Sequence, residues 1–394
     1  MNKKIIIPAI VILLALIFSV ATCMGGGKIK VEWNEVPPVG LSMDSIELQV
    51  YVENSGSMDA YMCPGSNLKD AVFDYVGDLQ KYSCSTSLNY INSQIIPYKS
   101  DLNSYIKDLT PQSFAKAGGN RANTDLREIF SKMMAQHKEH TVTVFVSDCI
   151  LDIPESATDF FGNCQVSIKN TFNKALAENP DLGVVIMKLE SKFDGYWYCG
   201  KNSEKLSNVK RPYYIWVIGD KRSIAMLNEK VPVNDIIGGI KEYCAFTGKA
   251  AIPFTIDKSL YAINHSSKIN IDVMVDLRQS LQSELVIKNI GQYKSSNPAQ
   301  TIITSIQKIT ASSSKYSHVV NLEISNPETV KTETITFSIP YMSSWVELSN
   351  DSTGMNVKNS IDKTTGILSL VKGVAEAYKQ STEFGSVTFN LKNK

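Results

Sequence analysis

The sequence predicts an α/β unit built on a mostly parallel sheet, followed by a β-rich, sandwich-like unit with one late helix. Three observations carry this. From Ser45 to about Cys244, β-prone runs alternate with helical periodicities, the pattern of strands linked through helices. The runs TVTVFV (Thr141 to Val146) and GVVIM (Gly183 to Met187) are apolar throughout, as strands covered on both faces are. From about Ile252 the text changes to alternating segments divided by Ser, Asn and Pro, the pattern of antiparallel strands. The 394 residues are about twice an average domain, and 43 % hydrophobic against 20 % charged residues supports folded cores and excludes disorder. Forty basic and 39 acidic residues leave +1, so no whole-chain field draws the protein to nucleic acid.

The elements follow in order. Ser45 to Val52 (SIELQVYV) alternates as a strand and opens into a polar loop. Leu68, Val72, Tyr75, Val76 and Leu79 then recur at helical spacing. A β-prone run, Leu88 to Tyr98, precedes a helical pattern at 102–109 that Pro111 ends. Leu126, Ile129, Phe130, Met133 and Met134 mark the next helix face. After TVTVFV come a helix near 168–177, strands at 182–189 and 213–219, and a helix from Arg222 toward Lys230. In the second unit, strands are expected at INIDVMVDL, ELVIK, TIITSIQKI, HVVNLEI and TETITFSI, with a helix carrying Ile367, Val371, Val374 and Tyr378 before a closing strand at 386–391.

The first two dozen residues set an address. Lys3 and Lys4 precede an apolar run from Ile5 to Val20, then Ala21, Thr22 and Cys23, followed by Met24 and three glycines. This is a secretory signal layout, and the small pair before Cys23 resembles the lipobox of bacterial lipoproteins, whose cysteine is lipidated after cleavage. An uncleaved signal anchor is the rival, since about 20 residues span a bilayer. The division expected is signal 1–22, lipidated Cys23 and flexible tether 23–42, α/β unit 43–245 and β-rich unit 246–394. With Cys23 set aside, six cysteines remain. An exported compartment permits disulfides, and Cys63–Cys84 and Cys149–Cys164 are spaced as local staples, although fifteen pairings exist and six free thiols stay open.

Directly after the first strand stands Glu53-Asn54-Ser55-Gly56-Ser57-Met58. A Gly-rich loop with Thr124 precedes a helix, and Asp148 closes a later buried strand. In these three ordered pieces the chain resembles the von Willebrand factor A family, whose metal-ion-dependent adhesion site begins DxSxS. The resemblance implies a doubly wound, mostly parallel sheet with helices on both faces. It also implies a Mg²⁺ site, or Mn²⁺ or Ca²⁺, formed by Glu53, Ser55, Ser57, Thr124 and Asp148, at which a Glu or Asp of a protein partner completes the coordination. Hard cations prefer oxygen donors of this kind, and ligands of open α/β sheets gather beyond the carboxyl ends of the strands. The family's leading Asp is Glu53 here. The bland reading of the same residues is a strand-to-helix turn with Ser55 or Ser57 as N-cap.

Other constellations carry less. His137 and His140 have neither HExxH nor a third ligand, no GxSxG, P-loop or GxGxxG occurs, and Cys149 lacks a His base. A hydrolase would need a general base, for which Asp125 is the nearby spare carboxylate. Tyr196, Trp197 and Tyr198 are candidate partner contacts, Tyr and Trp being common binding hot spots. The sequence thus leads to an exported, lipid-anchored adhesion or protein-binding module, not an enzyme, on the outer membrane or cell surface, with no nucleotide or nucleic-acid partner. Its alternative is a structural envelope component whose site holds no metal.

Overall fold

The computed structural model describes residues 27–38, 46–122, 124–153, 159–311, 314–378 and 382–394. The signal segment and Cys23 lie outside them. Seven strands form the main sheet in the order Ile95–Tyr98, Ser85–Ile91, Glu47–Glu53, Thr141–Ser147, Asn202–Asp220, Leu182–Cys199, Glu242–Thr247. Parallel pairing is confined to the three strands Ser85–Ile91, Glu47–Glu53 and Thr141–Ser147, and every other neighbour is antiparallel. The expected doubly wound, mostly parallel sheet of the von Willebrand factor A kind is therefore not the fold.

The reason is local. Leu182–Cys199 and Asn202–Asp220 are joined only by Gly200 and Lys201, and a two-residue link returns the chain antiparallel, whereas a parallel return needs a crossover of a dozen residues or more. Gly200 takes φ +61, and a Cβ there would fall 2.3 Å from the Ile153 carbonyl oxygen, so the turn requires glycine.

Helices still cover both faces. Leu48, Val50, Val52, Val142, Val144 and Val146 point to one core, closed by the helices Leu68–Gln80 and Lys221–Lys230. Tyr51, Phe145, Tyr214 and Trp216 point to the other, closed by Leu126–Gln136, Phe160–Glu178 and Ile367–Ala377. The last of these was expected with the β-rich unit. It lies instead on Phe160–Glu178, so closely that a Cβ on Gly373 would stand 2.7 Å from the Gln165 carbonyl oxygen.

The second unit has two antiparallel sheets around one core. One has five strands, with Lys28–Trp33 between Leu260–Ala262 and Glu383–Asn393. The other has four, centred on Lys268–Val275 and His318–Ser325. Two segments behave differently from their sequence reading. Lys28–Trp33, assigned to the tether, is an inner strand with Ile29 and Val31 buried, and ELVIK forms the helical turn Glu284–Ile287. The units are threaded through each other. Residues 341–378 leave the sandwich between its strands Thr332–Ser338 and Glu383–Asn393 and dock on the α/β unit, where Trp345 Nε1 donates to the Tyr243 carbonyl at 3.0 Å. Among the described residues all six cysteines are free thiols, in place of the expected staples. No described helix is long and apolar enough to cross a membrane.

The close approach at Gly373 gives a test: Gly373→Val, a branched side chain forced between two packed helices, is expected to cost about 2 kcal/mol or more in urea unfolding, where a solvated position would cost a few tenths.

Candidate functional site

Glu53 ends one of the three parallel strands and Asp148 follows its neighbour Thr141–Ser147, so the two carboxyls are delivered to one spot at the carboxyl end of the sheet. They lie deepest, 3 % and 1 % exposed, while Ser55, Ser57 and Thr124 keep 6 to 8 % above them. Ser147 links the floor: its hydroxyl donates to Glu53 Oε2 and accepts the Cys149 N–H at 2.7 Å. Ser55 and Ser57 hydroxyls are 3.3 Å apart. Ser55 stands near enough to Glu53, and Ser57 to Asp148, to lower those carboxyls. Four of the five expected ligands are thus brought together.

Thr124 makes no hydrogen bond to them. It is carried alongside by the loop before helix Leu126–Gln136, which is tied to the serine loop by the Gly56 N–H on the Arg121 carbonyl at 3.1 Å. The tie is reinforced by the Arg121 guanidinium, which donates to the carbonyls of Asn54 at 2.8 Å and Ser55 at 3.3 Å and to Asp59 at 2.5 Å. The glycines of this loop are needed for the same reason. Gly119 sits at φ +75, where a Cβ would collide with Asn92 Oδ1 at 2.0 Å.

Burial pushes the Glu53 carboxyl up, the nearby Asp148 charge adds to this, and the Ser147 and Ser55 bonds only partly oppose it. Burial raises Asp148 as well, against bonds from Ser57 and the Ile150 N–H and the charge of Arg211. Two acidic groups thus face each other where ionising both is unfavourable. Two oxygens are also left unmatched, since Asp148 Oδ2 and Thr124 Oγ1 are buried without a hydrogen-bond partner. Eight other buried side-chain atoms among the described residues also lack a partner; what sets these two apart is that both are oxygens beside a pair of carboxyls, and a set of carboxylate and hydroxyl oxygens with open lone pairs suits a hard divalent cation. No three or more His, Cys, Asp or Glu among the described residues group to hold a metal, so only such an oxygen set could do so.

The neighbouring residues sort differently from their sequence reading. Asp125 caps helix Leu126–Gln136 and takes Arg127 on both oxygens, at 2.9 and 2.6 Å. Burial raises its carboxyl, but the Arg127 bonds outweigh this and hold it low, so it is engaged as a structural anion. Trp197, expected among partner contacts, is buried in the core at 1 %, whereas Tyr196 and Tyr198 are exposed with rings stacked 6.1 Å apart. The Tyr198 ring stands 3.6 Å from where a Cβ of Gly56 would be, which brings this aromatic pair to the edge of the site. Arg121 and Ser147 had no spacing rule to announce them; only the fold shows that they brace it.

No protein-family model matches the chain, and no curated protein matches it with significant similarity.

The raised carboxyls fix the sign of a pH effect. The unfolded chain releases these protons near pH 4 to 5, whereas the fold holds them to higher pH, so stability falls as pH rises through that window. In chelator, the wild type is expected to lose about 1–3 kcal/mol more than Glu53→Gln between pH 5 and 8 in urea unfolding, since the buried His137 and His318, held low by burial, act alike in both proteins. Parallel pH profiles would refute it.

Proposed function

We propose that this is an exported, membrane-anchored protein-binding module, in which Glu53, Ser55, Ser57, Thr124 and Asp148 hold a divalent cation that takes up a Glu or Asp side chain of a protein partner. The observation that carries the reading is the pair of buried, unmatched oxygens, Asp148 Oδ2 and Thr124 Oγ1, beside two carboxyls whose charges burial opposes. Mg²⁺ is the cation favoured, with Mn²⁺ or Ca²⁺ able to take its place. When bound, it supplies a concentrated positive charge for the partner's carboxylate. Neutral hydroxyls from Ser55, Ser57 and Thr124 would leave that charge largely unspent, while Glu53 and Asp148 would supply the negative charge that holds the ion. Anchoring is argued from Lys3, Lys4, the apolar run and Cys23, a layout that supports a location in the cell envelope, at the outer membrane or cell surface.

A second reading, a structural envelope component without metal, draws on a specific observation: Glu53 already receives the Ser147 hydroxyl, with Ser55 close by, and needs no cation to satisfy it. Calorimetric titration of Mg²⁺ and Mn²⁺ into the chelator-treated protein separates the two. Saturable binding is expected, weakened about tenfold or more by Ser57→Ala and lost in Asp148→Asn. At a hundred times the wild-type Kd the cation adds about 2.7 kcal/mol to the wild type, about half that to a variant weakened tenfold, and nothing to Asp148→Asn. A flat wild-type titration would select the metal-free reading.

A further inference from the structure

Beside the site opens a cleft of about 430 Å³ that the adhesion reading leaves unused. It shares Thr124 with the site and runs between the first turns of helices Leu126–Gln136 and Phe160–Glu178. Its volume falls in the range that buries a small ligand or a pair of side chains. Leu151, Ile153 and Phe160 line it with apolar surface.

Four charged groups line the cleft, and all are already engaged, the exposed Lys201 among them. Arg127 holds Asp125 through two nitrogens and lays its guanidinium over the Phe160 ring, 5.3 Å from the centroid. A second acidic group from a partner would have to break that fork while facing the Asp125 carboxylate. Asp152 accepts the Gly200 N–H, and burial raises its carboxyl, which weakens its pull on a cation. What remains on offer is apolar surface, and filling it with an uncharged side chain leaves no ion pair broken and no charge unpaired. The buried and unpartnered Thr124 hydroxyl, on the boundary of cleft and site, puts the two within reach of adjacent residues of one chain.

We propose that the partner is an extended peptide segment in which an acidic residue, seated at the cation, is followed or preceded by a large apolar one, seated in the cleft against Leu151, Ile153 and Phe160. This rests on the cation reading and names the partner that reading leaves open.

The test uses the full protein saturated with Mn²⁺ and fluorescein-labelled peptides followed by anisotropy: Gly-Glu-Leu-Gly, Gly-Leu-Glu-Gly, Gly-Glu-Gly-Gly, Gly-Glu-Lys-Gly and Gly-Glu-Glu-Gly. At least one Leu peptide is expected to bind ten- to a hundredfold more tightly than the Gly peptide, with the Lys and Glu peptides no better than Gly. Ile153→Asp is expected to erase the preference while the Mn²⁺ titration stays as in the wild type, and Ile153→Ala, which adds no charge, to reduce it severalfold. Peptides bound equally, or none bound while Mn²⁺ binds, overturns the cleft assignment. Failure of Mn²⁺ to bind is read separately by calorimetry and overturns the cation reading together with the cleft that depends on it.

Discussion

Glu53 and Asp148 end adjacent parallel strands at a point water hardly reaches, and the surrounding structure is arranged to tolerate them. A buried carboxyl is costly when ionised and unpaired. Here the cost is shared among neutral donors: the Ser147 hydroxyl on Glu53 and the Ile150 N–H on Asp148, with the Ser55 and Ser57 hydroxyls nearby. One fixed cation, Arg211, acts on Asp148 through space. It is buried at 1 % and spends two nitrogens on the carbonyls of Ile361 and Lys363, at 3.2 Å each. Lys188, on the neighbouring strand, donates to Ser349 at 2.8 Å and to the Asp362 carbonyl at 3.1 Å. Two buried cations thus meet three successive carbonyls of the segment that the second unit sends across, and that segment is held by charge-assisted bonds as well as by apolar packing.

This threading explains why the two halves are one folded body. The first described strand, Lys28–Trp33, pairs with the last, Glu383–Asn393, in the sandwich. The segment between Thr332–Ser338 and Glu383–Asn393 is meanwhile buried against the sheet of the α/β unit, with Trp345 stacked on Tyr214. Neither unit is closed by a contiguous stretch of chain. A cut at the expected end of the tether, residue 42, would remove a strand with Ile29 and Val31 in the sandwich core.

Much of this was legible and some was not, for reasons that lie in particular residues. Local patterning showed TVTVFV as a buried strand and Leu126 to Met134 as an amphipathic helix, because burial on a sheet or helix face is written in periods of two and 3.6. The convergence of Glu53, Ser55, Ser57 and Asp148 was legible because each ends or follows a recognisable strand. Strand direction was not, since it depended on what lay between 189 and 213. There the run Tyr196 to Cys199, then Gly200, reads equally well as a recognition loop or as the tip of a hairpin. Trp197 went astray with it: on a strand, alternate residues face opposite ways, so Tyr196 and Tyr198 turn outward and Trp197 inward. Lys28–Trp33 was hidden by the glycines before it, and the return of Ile367–Ala377 to the first unit by distance along the chain, which no local pattern records.

The loop that carries Asp148 is fixed by three bonds from two sides before any ligand arrives. The Leu151 N–H donates to Thr365 of the returning segment at 3.0 Å, its carbonyl accepts the Cys199 thiol at 3.5 Å, and Asp152 accepts Gly200 from the hairpin turn. The serine loop is fixed in turn by Arg121 on two of its carbonyls. Groups that oppose one another electrostatically would drift apart on mobile loops. Held here by bonds from the hairpin, the Gly-rich loop and the second unit, they stay together at a standing cost that the fold as a whole supports. A preorganised site of this kind has met its ordering cost during folding, so a cation entering it would relieve repulsion already in place and need order nothing further.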